Sequence, residues 1–186
     1  MGRVRIFTLA IVVVTACSVA ACKSGGAQPS SSPSLSLSAP SPTASLAPAV
    51  TAVQQAVAAY RNMWAAYDTA IQVPDSNDPN LGKYATGNAL HTLVSGLQAL
   101  KDKGLKGTGT VTVAPQVTAV SPTQEPTKVA LRDCLDDADS HIVRAAPGAP
   151  YSDTPGGKHL TLADVERQGD GSWKVTDFGV RAVGTC

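Results

Sequence analysis

The chain has no cluster of lysine and arginine, no Cys-x-x-Cys pair, no Gly-x-x-x-x-Gly-Lys-Ser/Thr loop and no apolar run approaching the length of a membrane span. Each absence removes a class of function. Phosphate backbones are held by clustered basic side chains, and here Lys plus Arg number 15 against 14 Asp plus Glu, so nucleic acid is not an expected partner. Without paired cysteines, and with His91, His141 and His159 scattered, no zinc spacing exists; the three histidines read as surface or cap residues. Gly156-Gly157-Lys158 resembles the end of a phosphate loop, but His159 stands where the hydroxyl belongs. It reads as a turn entering a strand. A bilayer crossing needs about 20 apolar residues, and the longest apolar run, Ile6 to Ala16, is well short of that. No cofactor is expected.

That run matters for another reason. It follows the basic opening Met-Gly-Arg-Val-Arg and precedes the small residues Ala16, Ser18, Ala20 and Ala21, which is the layout of an export signal. Val19-Ala20-Ala21-Cys22 resembles the bacterial lipobox, in which the cysteine receives a diacylglyceryl group and becomes the new N-terminus. Val14-Thr15-Ala16-Cys17 fits the same box; Cys22 is preferred because a small, polar, Pro-rich segment starts directly after it. The expected organisation is therefore a lipoprotein signal peptide over residues 1–21, a Ser/Pro/Ala-rich disordered tether over 22–47 and one domain over 48–186. Nothing in the tether can bury a core. Losing Arg3 and Arg5 with the leader takes the formal net charge from +1 to about −1. The expected address is the extracytoplasmic face of the cell membrane, held there by lipid.

In the domain, Val50, Val53, Val57, Tyr60, Trp64, Tyr67 and Ile71 recur at steps of three and four and make one face of a long helix. Leu81 to Ala85 opens a second helical stretch, with Leu90, Leu93, Val94, Leu97 and Leu100 on one face and Gly104 as its C-cap. After Gly109 β-branched residues and turn signals take over. Strands are expected at 110–120, 128–135, 158–167 and 172–183, joined as hairpins through 121–126 and 169–171. Broken alternation near Ala163 and Asp177-Phe178 points to bulges or a strong bend. Helices first and antiparallel strands after give an α+β class, a curved sheet wrapped over a long helix.

Several blocks carry a resemblance. The helix with Ala-Ala-Tyr60-Arg-Asn-Met-Trp64, the Leu81-Gly-Lys-Tyr-Ala-Thr-Gly-Asn-Ala-Leu90 turn, Asp133-Cys134-Leu-Asp136, Asp170-Gly-Ser-Trp173-Lys-Val and the terminal Val183-Gly-Thr-Cys186 look like a family of small actinobacterial secreted proteins and lipoproteins. That family is placed among the cone-shaped nuclear transport factor 2-like (cystatin-like) domains, and the likeness runs from about Val50 to Cys186. It implies a pocket between the sheet and the long helix, which Tyr60, Trp64, Tyr67 and Tyr84 would line with Asp133 or Asp177 as a carboxylate. Ketosteroid isomerase builds such a site. The same aromatic stripe is also ordinary core on a buried helix face.

Of four cysteines, Cys17 and Cys22 belong to the leader region, leaving Cys134 and Cys186 as the pair in the domain. An exported pair oxidises, and their disulfide is expected to pin the end of the last strand to the sheet interior. Asp133, Asp136, Asp137, Asp139 and His141 form the densest polar cluster, yet no calcium-loop glycine or distal glutamate accompanies them, and Asp and Ser equally form turns at strand ends. Neither a metal site nor a catalytic residue is assigned. The expected function is non-catalytic binding of a partner protein or an apolar small ligand in the cell envelope; the alternative is an isomerase- or dehydratase-like enzyme.

Overall fold

The computed structural model describes residues 47–148, 151–154 and 156–186. The leader, Cys17, Cys22 and tether residues 22–46 lie outside the described residues. Helix α1 (Pro48–Ala70) begins with proline, whose fixed φ suits a first turn and whose missing N–H is not needed there. Its buried stripe is Ala52, Ala56, Ala59, Tyr60, Met63 and Trp64, rotated from the valine-centred face expected, and Val50 is 44% exposed. Alanines in that stripe let the helix axis approach the sheet closely. Larger valines sit at the flanks.

A one-turn helix, α2 (Leu81–Tyr84), leads to α3 (Gly87–Asp102), which buries Ala89, Leu93 and Leu97. The junction explains the Tyr84-Ala-Thr-Gly87 block. Ala85 is fully buried and bridges Val175 in parallel, the Thr86 N–H donates to the Val175 carbonyl, and Gly87 turns the chain at φ +56° into α3. A side chain at 87 would be strained in that region.

Six strands follow: β1 (Leu105–Thr108), β2 (Gln116–Ser121), β3 (Lys128–Asp136), β4 (His141–Arg144), β5 (Lys158–Arg167) and β6 (Trp173–Val183). An antiparallel sheet has the order β2-β3-β5-β6, and β1 pairs with β4 in a two-stranded ribbon. Register slips at Val117/Ala119, His159/Thr161 and Asp164/Val165 bend the main sheet. The last of these leaves Thr176 as the extra residue on β6, next to the expected Asp177-Phe178 irregularity. Val129, Leu131, Val165 and Val175 pack from the concave face onto α1 and α3. The result is α+β, an open curved antiparallel sheet with helices on one side.

Two expectations are corrected. The strand proposed at 110–120 begins only at Gln116, because Pro115 has no N–H and the preceding backbone is captured otherwise: Val111 and Ala114 donate to the Asp68 and Asp133 carboxylates, and Thr112 pairs with Asp136. The disulfide forms between Cys134 and Cys186, with Cα atoms 5.9 Å apart, but it does not reach the interior. Alternation along β3 buries Leu131, Asp133 and Leu135 and turns Cys134 out to the exposed face. Beyond Val183 the Gly184 N–H donates to the Lys158 carbonyl and the Thr185 hydroxyl accepts from the Leu160 N–H. The chain end thus crosses β5 on the outside and is tied to β3.

Closing a separation of 52 residues is worth about 4 kcal/mol in the chain-entropy treatment. Replacing both Cys134 and Cys186 by Ser is expected to lower unfolding free energy by up to about that amount, read from urea midpoints. Unreduced peptide mapping should recover the two cysteines in one linked peptide, and two free thiols in the purified protein would overturn the pairing.

Candidate ligand cavity

The last turns of α1 and α3, the 109–115 segment, the end of β3, β4 and the later part of β6 border a half-open cavity of about 290 Å³. Its wall is mainly apolar, built on Trp64, Tyr67, Ile71, Leu100, Leu135 and Ile142, with Asp137 and Ser140 as its polar members. Trp64 is the aromatic centre, edge-on to Tyr60, Tyr67 and Phe178 at 6.3, 6.2 and 5.4 Å. Room for Tyr67 comes from Gly96 on α3, where an added Cβ would stand 2.7 Å from the tyrosine hydroxyl. A larger cleft of about 540 Å³ lies at the other end of α1, with Gln55, Glu125 and Arg167 as polar members of a mixed wall.

Of the aromatic residues expected to line a pocket, Trp64 and Tyr67 do. Tyr60 lies deeper, fully buried, and Tyr84 does not reach the cavity at all; it borders shallow surface grooves with Asn62. The reason is local. Leu81 is the buried residue of α2, which leaves Tyr84 half-exposed at its end. Asp177 is likewise displaced, exposed on the outer face of the sheet opposite Asp164.

Asp133 is buried but structural. The Tyr60 hydroxyl donates to its Oδ2 at 3.0 Å and the Ala114 N–H to its Oδ1 at 2.9 Å. Burial, and then the neighbouring Asp133 charge, push the Tyr60 phenol far above its ordinary range, so it stays protonated and donates. Asp68, which the sequence did not single out, is a second buried carboxylate. Its Oδ2 accepts from the Val111 N–H at 3.1 Å while Oδ1 is buried without a partner. Burial raises its pKa, partly countered by that N–H. It in turn helps burial hold Tyr67 protonated.

The acidic cluster after β3 is dispersed. Among the described residues no group of three or more His, Cys, Asp or Glu is placed to hold a metal ion. Asp136 accepts from the Ala138 N–H, and His141 lies 3.9 Å from Asp153. Asp137 is the member that reaches the cavity wall, with Oδ1 accepting from the Gly157 N–H at 2.6 Å and from His159 Nε2 at 3.1 Å. Gly156 has no room for a Cβ against the Asp137 backbone, which gives the glycine pair its role at the entry to β5.

His159 is therefore not the surface residue expected; it is only 9% exposed. Its Nδ1 lies 2.8 Å from the Arg181 carbonyl, and since carbonyl and carboxylate both accept, both ring nitrogens carry protons. Burial opposes the charged ring, but the Arg181 carbonyl, Asp137 and Asp136 outweigh it and raise the pKa above its ordinary value of about 6.5.

No family model matches the chain, and no curated protein matches it. Solved structures do. The intermembrane-space region of the chloroplast protein ARC6 superposes with a TM-score of 0.52 at 18% identity, covering 72% of this chain and 96% of that one. The two share one α+β fold. A cystatin-like protein of unknown function from Nostoc punctiforme aligns at TM-score 0.41 and 10% identity over 69% of this chain and 92% of its own. A ketosteroid isomerase-like protein from Erwinia carotovora atroseptica does so at 0.39 and 15%, over 67% and 91%. At these identities the likeness is one of fold alone.

Two substitutions test the buried polar contacts. Tyr60→Phe leaves Asp133 Oδ2 without its donor and is expected to cost about 1–3 kcal/mol in urea unfolding; a change within about 0.5 kcal/mol would remove the pair from any structural role. For His159 a raised folded pKa means that its stabilisation is fully present below about pH 6.5 and lost as pH rises through the folded value. Urea midpoints followed from about pH 5.5 to 8.5 should show that loss, and His159→Gln should flatten it.

Proposed function

We propose that this chain is an extracytoplasmic lipoprotein of the actinobacterial secreted-protein type, anchored through Cys22, whose domain binds an apolar small ligand without transforming it. The observation that carries the binding reading is the cavity of about 290 Å³ walled by Trp64, Tyr67, Ile71, Leu100, Leu135 and Ile142. Such a wall favours burial of apolar surface at roughly 25 cal/mol per Å², and the volume lies near the small end of ordinary ligand sites, roughly 300–1,000 Å³. The isomerase- or dehydratase-like alternative asks for a carboxylate facing the cavity with an oxygen free to take a proton. Asp133 has both oxygens engaged, by Tyr60 and Ala114. Asp137 is the one carboxylate on the cavity wall that the alternative could use: Gly157 and His159 hold its Oδ1, and Oδ2 takes part in neither bond.

The anchor reading rests on the Val19-Ala20-Ala21-Cys22 box and the Pro-rich segment that follows it. A tether of about 25 residues reaches roughly 25–30 Å as a flexible coil, which sets the domain clear of the lipid headgroups. Cys22→Ala is expected to move the protein from the membrane fraction to the medium or leave it unprocessed, followed by fractionation and metabolic labelling with palmitate. Label still entering through Cys17 would overturn the choice of site.

A further inference from the structure

The geometry points to a ligand class for this cavity: a small amphiphile with an apolar body of about ten heavy atoms and a cationic or hydrogen-bond-donating head, an alkylamine being the simplest member, with carboxylates of equal length disfavoured. This rests on the binding reading above and deepens it.

The size follows from the volume. At roughly 30 Å³ for a methylene-sized group, about the share of a water molecule in the liquid, a space of about 290 Å³ takes about ten such groups. The head is chosen by charge. Among the described lining residues Asp137 is the one formal charge, and none is Lys, Arg or His. Its Oδ1 is engaged by Gly157 and His159, while Oδ2 takes part in neither bond. Asp137 therefore offers an acceptor and a fatty acid finds no cation on the wall.

The backbone adds to the same sign. Trp64, Tyr67 and Ile71 belong to the C-terminal turns of α1, which ends at Ala70, and Gly96 and Leu100 to those of α3, which ends at Asp102. Late turns of two helices thus border one cavity, and a helix C-terminus carries about half a negative charge. α1 has no basic residue in its last turn to offset this, whereas the end of α3 carries Lys101 and Lys103 and its Lys103 carbonyl accepts from the Arg144 guanidinium, so the uncompensated terminus is that of α1. Trp64 and Tyr67 supply aromatic faces of the kind that attract ammonium groups. The positive group nearby, His159, is bound to Asp137 Oδ1 and the Arg181 carbonyl and does not line the cavity. Lys106 is on the opposite side of β1 from Gly107, which packs on Ile71.

The test uses the full chain and three photoreactive probes with the same eight-carbon, diazirine-bearing body and an amine, alcohol or carboxylate head. Labelled peptides are mapped by mass spectrometry, so that partition into membrane or detergent is not mistaken for binding. Saturable labelling of cavity-wall peptides is expected, with the amine half-saturating about tenfold below the carboxylate and the alcohol between them. Asp137→Asn should bring the amine to the level of the alcohol; if that variant unfolds, the ranking on the unaltered chain decides by itself. Val180→Trp, at a half-open wall position, should block all three probes. Carboxylate labelling equal to or stronger than amine labelling overturns the head-group assignment while leaving the cavity a binding site. Labelling that never saturates, or that survives Val180→Trp, overturns the binding reading and this inference with it.

Discussion

A single buried carboxylate ties together parts of the chain that are far apart in sequence. Asp133 faces inward from β3, receives the Tyr60 hydroxyl from α1 across 73 residues and fixes the backbone of Ala114 in the segment that leads into β2. Removing a carboxylate from water is costly unless its oxygens are satisfied, so the helix, the strand and the segment have to arrive together. Asp68 repeats the arrangement from the helix side, holding Val111 a few residues earlier. Between them the two acids place Val111 and its neighbours against the core, and the cavity wall depends on that placement.

The wall itself is shaped by what is small. Ala52, Ala56 and Ala59 bring α1 down onto the sheet, while Gly96 and Gly107 make room for the Tyr67 hydroxyl and the Ile71 side chain. Because α1 sits close at its N-terminal half, its larger residues, Trp64, Tyr67 and Ile71, hold the layers apart at the other end. The cavity walled by those rings lies at that end, and the larger cleft of mixed character at the alanine end.

Much of this architecture is legible in the order of residues. Steps of three and four identified α1 and α3, and alternation located β3, β5 and β6 nearly to the residue, because those elements each bury one face against the same core. β1 and β4 were not visible: Leu-Lys-Gly-Thr and His-Ile-Val-Arg are too short to show a period and exist through pairing with each other and through the contact of Gly107 with Ile71. The outward turn of Cys134 was legible, since Leu131, Asp133 and Leu135 share one face and place the cysteine on the other. The site was harder. Trp64 and Tyr67 announced themselves by spacing, but whether Tyr84 or Asp177 joins them depends on how α2 docks and where β6 bulges, and Asp68 looked like one more polar residue on a helix. His159 became a buried cation only through Arg181 and Asp137, neither of which is near it in sequence.

The 23 residues of α1 make a rod of about 35 Å, entered by the chain at one end and terminating beside the cavity at the other. Traction on the N-terminal side therefore runs along the rod and loads its many contacts with the sheet in shear, all at once, while the crosslink at Cys186 denies β6 an end from which to unzip. A pull applied ahead of residue 47 would therefore meet those contacts together, and the cavity stands at the far end of the rod.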